Sequence, residues 1–222
     1  DLQYLSSLKL LETITFVGTY FSDEGVKEFC HYGLTKLTKL MLIQDIVTAE
    51  GFQYFTRLTS LNDIDVCLPE ESMQFLAQIT NLTRICLHSV SGSMKTEIAY
   101  LSRLTKLQSL GIRMHDEADI ESFVLLITKL TKLYDLRLDR CGKMNDGHLD
   151  HLAALTKLTS LHLGKLLNIT KKGFECLSAL TNLQCFEYSS NADMDTTVLK
   201  LCFPTLTITR DSCISLDSFM IL

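Results

Sequence analysis

The sequence predicts an α/β solenoid in which about nine strand-and-helix units stack side by side. The clearest unit begins at Leu130 with the spacing L-x-x-L-x-x-L-x-L, and the same spacing begins again at Leu155. Starts of this pattern recur along the chain at Leu8, Leu34, Leu58, Ile79, Leu104, Leu130, Leu155 and Leu180, with a degenerate ninth copy at Lys200. Self-similarity at a period of about 25 residues is the signature of stacked repeats that bury their apolar side chains against their neighbours.

Each unit divides into a strand and a helix. The first half is predicted to be a short strand, because apolar side chains alternate with others around Leu136 and Leu138. The second half is predicted to be a short helix, because polar residues precede apolar residues spaced about three apart. The helical pattern is clearest at 21–29, 47–55, 144–152 and 169–177. Strands and helices that alternate in this way form a parallel sheet with helices packed on one side.

The bulk composition argues against two classes of partner. The 222 residues are 46% hydrophobic and carry a net charge of −5, which gives no general attraction to nucleic acid. The densest apolar run, 123–127, is far shorter than the roughly 18 residues that a membrane span requires. We therefore expect a protein partner, with neither nucleic acid nor membrane as a ligand.

The cysteines and the chain ends shape two further expectations. The eight cysteines are scattered and form no C-x-x-C pair, which is typical of reduced thiols and favours a cytoplasmic location, or the host cytosol for a secreted effector. No signal or transit peptide is visible at Asp1. Because 1–5 aligns with 51–55 and 214–219 aligns with 169–174, both ends are expected to fall inside a repeat. We expect one repeat domain over 1–222, as a fragment of a longer protein.

The repeats resemble a known family over essentially the whole chain. The segments 136–141 and 144–149 resemble the cysteine-containing, ribonuclease-inhibitor-like class of leucine-rich repeats found in the substrate-recognition arms of F-box proteins. The LTKLTKL and LTKLTSL phrases resemble bacterial and protist arrays, including host-directed effectors of intracellular bacteria. Only Cys141 occupies the cysteine position of that class. The resemblance implies a leucine-rich-repeat solenoid, with a curved parallel sheet on its concave face, short helices on its convex face and a role in protein binding.

In such a stack, the leucines of each strand point into the core and the residues between them point outward. The middle outward column is predicted to be Thr15, Met41, Asp65, Cys86, Gly111, Arg137, His162, Glu187 and Thr207. From these columns we predict a protein-binding face formed by Met41, Ile43, Asp65, Arg84, His88, Arg113, Arg137, Asp139, His162 and Glu187. The apolar end of this face, at Val17, Met41 and Ile43, is the preferred hot spot, since such side chains are less expected on an exposed sheet.

Several contacts across neighbouring strands are expected. Arg137, His162 and Glu187 fall on successive strands, Arg113 falls beside Asp139, and Asp65 is expected to lie close to Arg84. A solvated, mixed-charge sheet face without any function has the same pattern. The alternative is a polar binding surface with arginine and histidine anchors.

Catalytic and metal sites have weak support. Cys67, Cys86 and His88 are expected to converge on adjacent strands, and a Cys–His pair is the minimal activated thiol, but no cleft or orienting third group is evident. His148 and His151 have helical spacing for two metal ligands, yet without further ligands an exposed helix flank is the simpler interpretation. Cys141, Cys176 and Cys202 are interpreted as small core residues. No nucleotide-binding motif is present, so we predict no catalytic residue, cofactor or metal.

These observations favour a non-enzymatic scaffold that binds a partner protein on its concave face. The substrate-recognition arm of a ubiquitin ligase and a host-directed bacterial effector are the two concrete roles that the resemblance suggests. The alternative from another class is the recognition domain of an enzyme whose catalytic domain lies outside 1–222. A purely structural spacer is a third interpretation.

Overall fold

The computed structural model describes residues 2–18, 21–43, 47–69, 71–90, 99–114, 119–189 and 197–210. The chain forms two compact units, Asp1–Leu107 and Gln108–Leu222, which are described separately below. Within the described segments, no helix has the length and apolar character that crossing a bilayer requires.

The first unit contains four parallel strands that pair in chain order. They are β1 (Thr13–Val17), β2 (Lys39–Ile43), β3 (Asp63–Leu68) and β4 (Arg84–Val90). Its α-helices are α1 (Asp23–His31), α2 (Ala49–Phe52) and α3 (Met73–Leu76) in the described part of the unit, and 3-10 turns cover Leu2–Ser7 and Gln53–Arg57. The β3–β4 pairing shifts register between Val66 and Leu68. Each strand is therefore joined to the next one by a helical segment, as the repeat pattern predicts.

The second unit contains five parallel strands, which also pair in chain order. They are β5 (Ser109–Arg113), β6 (Asp135–Asp139), β7 (Ser160–Leu163), β8 (Cys185–Tyr188) and β9 (Thr207–Arg210). The helices are α4 (Ile120–Ile127), α5 (Asp146–Leu152), α6 (Lys171–Cys176) and α7 (Thr197–Cys202), with a 3-10 turn at Leu177–Ala179. The helices predicted at 144–152 and 169–177 are confirmed, as are those predicted at 21–29 and 47–55 in the first unit.

The leucines of the repeated pattern form the core. Leu136 and Leu138, the two inward positions of β6, are 0% exposed, and Leu130 and Leu133 in the preceding turn are 2% and 1% exposed. Burying one such side chain contributes about 1.5–3 kcal/mol relative to leaving it in water. The same positions are buried in the repeats that begin at Leu34 through Leu180, whereas Leu8 of the first repeat is 45% exposed. Burial at these positions explains why the spacing is maintained along the chain.

Neighbouring helices are linked through the carboxylate of an aspartate in their first turn. Asp146 of α5 accepts hydrogen bonds from the backbone N–H of Thr170 (2.8 Å) and from its hydroxyl (2.5 Å). Thr170 in turn caps α6 by accepting from the N–H of Lys172 at 3.2 Å. In the first unit, Asp23 holds Thr48 in the same way, with distances of 2.8 and 2.6 Å. Each of these helix N-termini is thereby tied to the helix before it.

The ninth repeat departs from the predicted register by two residues. The leucine pattern placed Thr205 beside Cys185 and Thr207 beside Glu187, whereas the structure pairs Cys185 with Thr207 and Glu187 with Thr209. The pattern is degenerate in this repeat, so it left the register open. Hydrogen bonding to β8 determines it instead.

Candidate protein-binding face

The outward-pointing side chains of the parallel strands, here called the strand face, are the candidate site. Pairing confirms the predicted columns in both units up to β8: Asp63 lies between Lys39 and Arg84, and Arg137 lies between Gly111 and His162. Residues in one column are about 5 Å from their neighbours, so their side chains can touch directly. The description below covers each unit's strand face separately.

In the first unit, a row of alternating charge crosses β2, β3 and β4. The Asp63 carboxylate lies 3.2 Å from Lys39 Nζ and 3.9 Å from Arg84 Nε, and all three side chains are half-buried. The expectation that Arg84 lies against Asp65 is therefore wrong. Arg84 contacts the carboxylate directly opposite on β3, whereas Asp65 is 6% exposed and lies 2.5 Å from His88 Nε2.

The predicted apolar hot spot falls at the other end of this face. Val17 is 60% exposed and Met41 is half-buried. The backbone of Ile43 pairs with Val17, but the side chain of Ile43 lies outside the described part of the structure. Val17 is thus the most exposed apolar residue described on this strand face.

In the second unit, two arginines are each held by a buried aspartate. Arg113 Nε lies 3.3 Å from Asp139 Oδ2, which confirms the predicted pair. Asp139 is 5% exposed, and its other oxygen accepts from the backbone N–H of Arg140 at 2.7 Å. A buried carboxylate is costly without partners, so these two contacts offset its desolvation.

The second arginine is anchored by a similar arrangement. Arg137 Nε lies 3.4 Å from Asp135 Oδ1, and the Ser109 hydroxyl donates to Asp135 Oδ2 at 2.8 Å. Asp135 is 8% exposed. Both arginines approach the carboxylate with Nε. The side chains of Arg113 and Arg137 stay 27% and 23% exposed, so a partner on the strand face can reach part of each guanidinium group. The aspartate and serine beneath Arg137 were not singled out from the sequence.

The predicted succession from Arg137 through His162 to Glu187 is present. His162 Nδ1 lies 3.1 Å from Glu187 Oε2. The imidazole is 7% exposed, and its second nitrogen, Nε2, has no hydrogen-bond partner among the described residues. A buried polar atom without a partner lowers the stability of the fold by about 1–3 kcal/mol. Such atoms are rare in native proteins and are typical of groups with a role other than stability.

The thiol cluster expected on β3 and β4 gains a third group. Asp65, Cys86 and His88 each place one ligand atom within 4.8 Å of the other two. The expectation that the Cys–His pair has no third group to orient it is therefore wrong. The predicted middle column already placed Asp65 beside Cys86, and the strand pairing confirms it. The contact of Asp65 with His88 was not predicted. Cys86 is only 7% exposed, which leaves a substrate little access to its sulfur.

Burial disfavours the reactive thiolate form at two further cysteines, Cys185 and Cys141. Burial, followed by the nearby Glu187 carboxylate, raises the pKa of the Cys185 thiol, although Arg137 opposes the shift. Burial also raises the pKa of Cys141, which is 0% exposed as predicted for a core residue. Cys176 is half-buried, so it is only partly a core residue, and the side chain of Cys202 lies outside the described part of the structure. No disulfide joins the described cysteines.

The sequence suggested that His148 lies on an exposed helix flank, but in the structure this residue is buried. It is 6% exposed; its Nδ1 accepts from the backbone N–H of Asn145 at 2.9 Å, which caps α5. Its Nε2 lies 3.0 Å from Glu121 Oε2, and His151 Nε2 lies 3.6 Å from the other oxygen of that carboxylate. The histidine pair thus links α5 to α4.

A shallow groove of about 490 Å³ lies in the second unit, away from the residues discussed above. Its lining is formed by Gln108, Lys132, Tyr134, Lys157, Thr159 and Asn182. These positions precede the strands, in the turns of successive repeats. They did not enter the predicted binding face, which was built from strand positions alone.

Comparisons with known proteins identify the fold. No protein-family model matches the chain, and no curated protein does. Among solved structures, it is similar to an internalin (inlF) from Listeria monocytogenes, with a TM-score of 0.62 and 19% sequence identity over 97% of this chain. The match covers 65% of that internalin, so the chain spans less than two thirds of its length. A second internalin (C2) from the same organism gives a TM-score of 0.48 at 17% identity, covering 85% of this chain and 77% of the other.

The leucine-rich-repeat prediction rested on leucine spacing, and the structure confirms its strand-and-helix units independently. Internalins are leucine-rich-repeat proteins, and the parallel strands joined by short helices agree with that architecture. This protein therefore has the α/β fold of the leucine-rich-repeat solenoids.

Proposed function

We propose that this chain is a non-enzymatic scaffold that binds a partner protein through its strand face. The observation that supports this most directly is the pair of anchored arginines, Arg113 and Arg137, which lie against Asp139 and Asp135 and stay 27% and 23% exposed at their side chains. Arginines held in this way bind carboxylates through paired hydrogen bonds, and arginine is among the residues enriched at binding hot spots.

The buried aspartates add to affinity by holding the arginines in place. An arginine that is free in solution loses about 0.5–1.5 kcal/mol of side-chain entropy when a partner immobilises it. Contact with Asp139 and Asp135 restricts both side chains before binding, so less of that loss remains. The partner surface that suits two such groups carries carboxylates spaced to meet adjacent strands.

His162 and Glu187 extend the same surface. Glu187 is 46% exposed at its side chain, while His162 is buried with an unpartnered Nε2 among the described residues. Glu187 is the member of this pair that a partner can contact, and His162 holds its carboxylate in place at 3.1 Å. These four residues, Arg113, Arg137, His162 and Glu187, form the centre of the proposed interface.

The first unit contributes a second patch to the proposal. Exposed Val17 and half-buried Met41 offer apolar contact, and Ile43 stays in the proposed face by its backbone position beside Val17. Arg84 and His88 remain proposed partner contacts at the β4 end. Asp65 and Asp139 are now assigned to positioning, because each carboxylate holds a neighbouring side chain, His88 for Asp65 and Arg113 for Asp139.

We propose three alternative cellular roles for this binding face. A substrate-recognition arm of a ubiquitin ligase and a host-directed effector would both use this face, as would the recognition domain of an enzyme whose catalytic part lies elsewhere. The absence of disulfides among the described cysteines supports a reducing compartment such as the cytoplasm or a host cytosol. The identity of a captured partner separates these roles.

The test compares two charge-matched double variants. Arg113→Ala with Arg137→Ala removes the anchored pair, while Lys171→Ala with Lys172→Ala removes two exposed positive charges from α6. The proposal expects a protein that the unmodified chain and the lysine variant retain from a cytosolic extract, and that the arginine variant loses. With that protein purified, its Kd for the arginine variant should rise at least about tenfold, which is the effect of losing about 1.4 kcal/mol.

A third double variant tests whether a loss of binding reflects a loss of folding. Arg113→Lys with Arg137→Lys keeps the charge above the buried aspartates but removes the planar fork, so binding should weaken while the circular dichroism spectrum stays unchanged. If the partner binds the Arg113→Ala, Arg137→Ala variant and the Lys171→Ala, Lys172→Ala variant with equal affinity, this part of the strand face is excluded as the interface.

A further inference from the structure

The strand face of the first unit carries a cluster of three different donor groups. Register places Asp65 on β3 directly beside Cys86 on β4, and His88 follows two residues later on the same face of β4. A carboxylate oxygen, a thiol sulfur and an imidazole nitrogen from these residues all lie within 4.8 Å of one another. The donors come from two strands, so the sheet itself holds their spacing.

All three donors are almost fully buried. Asp65 is 6% exposed, Cys86 is 7% exposed and the side chain of His88 is 10% exposed. His88 Nε2 and Asp65 Oδ1 contact each other at 2.5 Å. The donor atoms of all three residues lie within 4.8 Å of one another, so one ion placed among them can meet all three.

A divalent transition metal accounts for all three. Ligand nitrogen and oxygen atoms about 2.0–2.2 Å from a tetrahedral zinc ion lie about 3.3 Å apart, with sulfur slightly further out at about 2.3 Å from the metal. To admit the ion, the contact between Nε2 and Oδ1 must open from 2.5 Å to about 3.3 Å, and the sulfur, which is at most 4.8 Å from each of them, must lie at a similar separation. The positive charge of the ion would also neutralise the buried carboxylate and a thiolate together.

The donor set selects the kind of metal. Magnesium and calcium prefer oxygen ligands throughout, whereas thiolate and imidazole favour zinc and similar borderline ions. We propose that Asp65, Cys86 and His88 bind one zinc ion on the strand face of the first unit. Three protein ligands leave the fourth position of the ion for water or for a side chain of a bound partner.

Cobalt is the probe for this site, because it takes the place of zinc and reports its ligands by its colour. The purified chain, reduced and stripped of metal, is titrated with Co²⁺ and then with Zn²⁺. The proposal expects one cobalt ion per chain, a thiolate-to-cobalt charge-transfer band in the near ultraviolet, and loss of that band as zinc displaces cobalt. Cys86→Ser should abolish the band, and His88→Gln should weaken cobalt binding at least tenfold.

Two control variants locate the binding. Cys185→Ser removes another strand-face thiol, in the second unit, and should bind cobalt like the unmodified chain. His151→Gln disrupts the histidine pair on α5 beside Glu121 and should also leave binding unchanged. Cobalt binding that survives Cys86→Ser but is lost in His151→Gln would overturn the proposal.

One measurement needs no variant, so it holds even if Cys86→Ser fails to fold. X-ray absorption at the zinc edge of the unmodified chain should show one sulfur ligand at about 2.3 Å and nitrogen or oxygen ligands at about 2.0–2.2 Å. Failure to retain any zinc, or a first shell without sulfur, would also overturn the proposal. The proposed partner-binding function does not depend on either outcome.

Discussion

Replacing Gly173 by alanine should destabilise the protein because of one carboxylate on the neighbouring helix. A Cβ at position 173 would overlap Oδ1 of Asp146 and lie 3.0 Å from its Cγ. That carboxylate accepts two hydrogen bonds from Thr170, so moving it breaks the link between α5 and α6. Hydrogen bonds to a charged group contribute about 1.5–3 kcal/mol each when well formed, and less at this exposed position.

Alanine also has an opposite effect on stability. It favours the helix over glycine by about 1 kcal/mol, which offsets part of the loss. We therefore expect Gly173→Ala to lower the free energy of unfolding by about 1–3 kcal/mol. In the Asp146→Ala background the obstacle is absent, and the same change should be neutral or stabilise by up to about 1 kcal/mol. A contact of 3.2 Å to a methyl group of Ile169 remains and limits that gain.

Urea unfolding followed by far-ultraviolet circular dichroism measures these values, since the chain contains no tryptophan. Tyrosine fluorescence should give a coincident transition before the values are compared, because repeat proteins can lose cooperativity. Gly147→Ala is the matched control: on α5 a Cβ would meet only Asn145 Oδ1, at 3.3 Å, and the change should stay within about 1 kcal/mol. A Gly173→Ala loss of equal size with and without the Asp146 carboxylate would refute this explanation.

Three further predictions concern stability. Asp139→Ala should lower the free energy of unfolding by about 2–4 kcal/mol, because Arg113 loses its ion-pair partner and the N–H of Arg140 loses its acceptor. Asp139→Asn keeps the acceptor for Arg140 and should cost less, and equal losses in urea unfolding would count against these contacts. Leu161→Ala should cost about 2–5 kcal/mol in urea unfolding, since the side chain is 0% exposed, and a loss below 1 kcal/mol would contradict its core position. Burial raises the pKa of Cys30 from 9.0 to about 12, so between those pH values the unfolded chain ionises first, and stability should fall by about 1.4 kcal/mol per pH unit. Cys30→Ala should remove that slope, and parallel slopes in the two proteins would rule the thiol out as its source.

The leucine spacing predicted the strands, their order along each unit and most of the outward columns. It succeeded because a strand has a side-chain period of two and a buried face tolerates no slip of one residue. Arg113 beside Asp139 and His162 beside Glu187 were both predicted from the columns alone. The ninth repeat failed for the same physical reason: without a clear leucine pattern, the sequence contains no marker for the register, and pairing with β8 sets it.

The choice of partner for each charged side chain depended on three-dimensional geometry. The sequence placed Arg84 within reach of two carboxylates, and the path of its long side chain selects Asp63. His148 has the spacing of an exposed residue but becomes a buried cap, because Asn145 and Glu121 offer both ring nitrogens a partner.

Repetition along the chain is a local property, so the amino-acid sequence is enough to establish the repeat, the core and the outward columns. Convergence of Asp65, Cys86 and His88 is a different kind of property, since the donors come from two strands and their separation depends on register and on side-chain rotation. The same holds for Asp139 and Asp135, whose contacts with Arg113, Arg137 and Ser109 depend on how the side chains of the folded chain are arranged. A pattern in the sequence reports which face a side chain occupies, and only the folded chain brings the atoms on that face to within bonding distance.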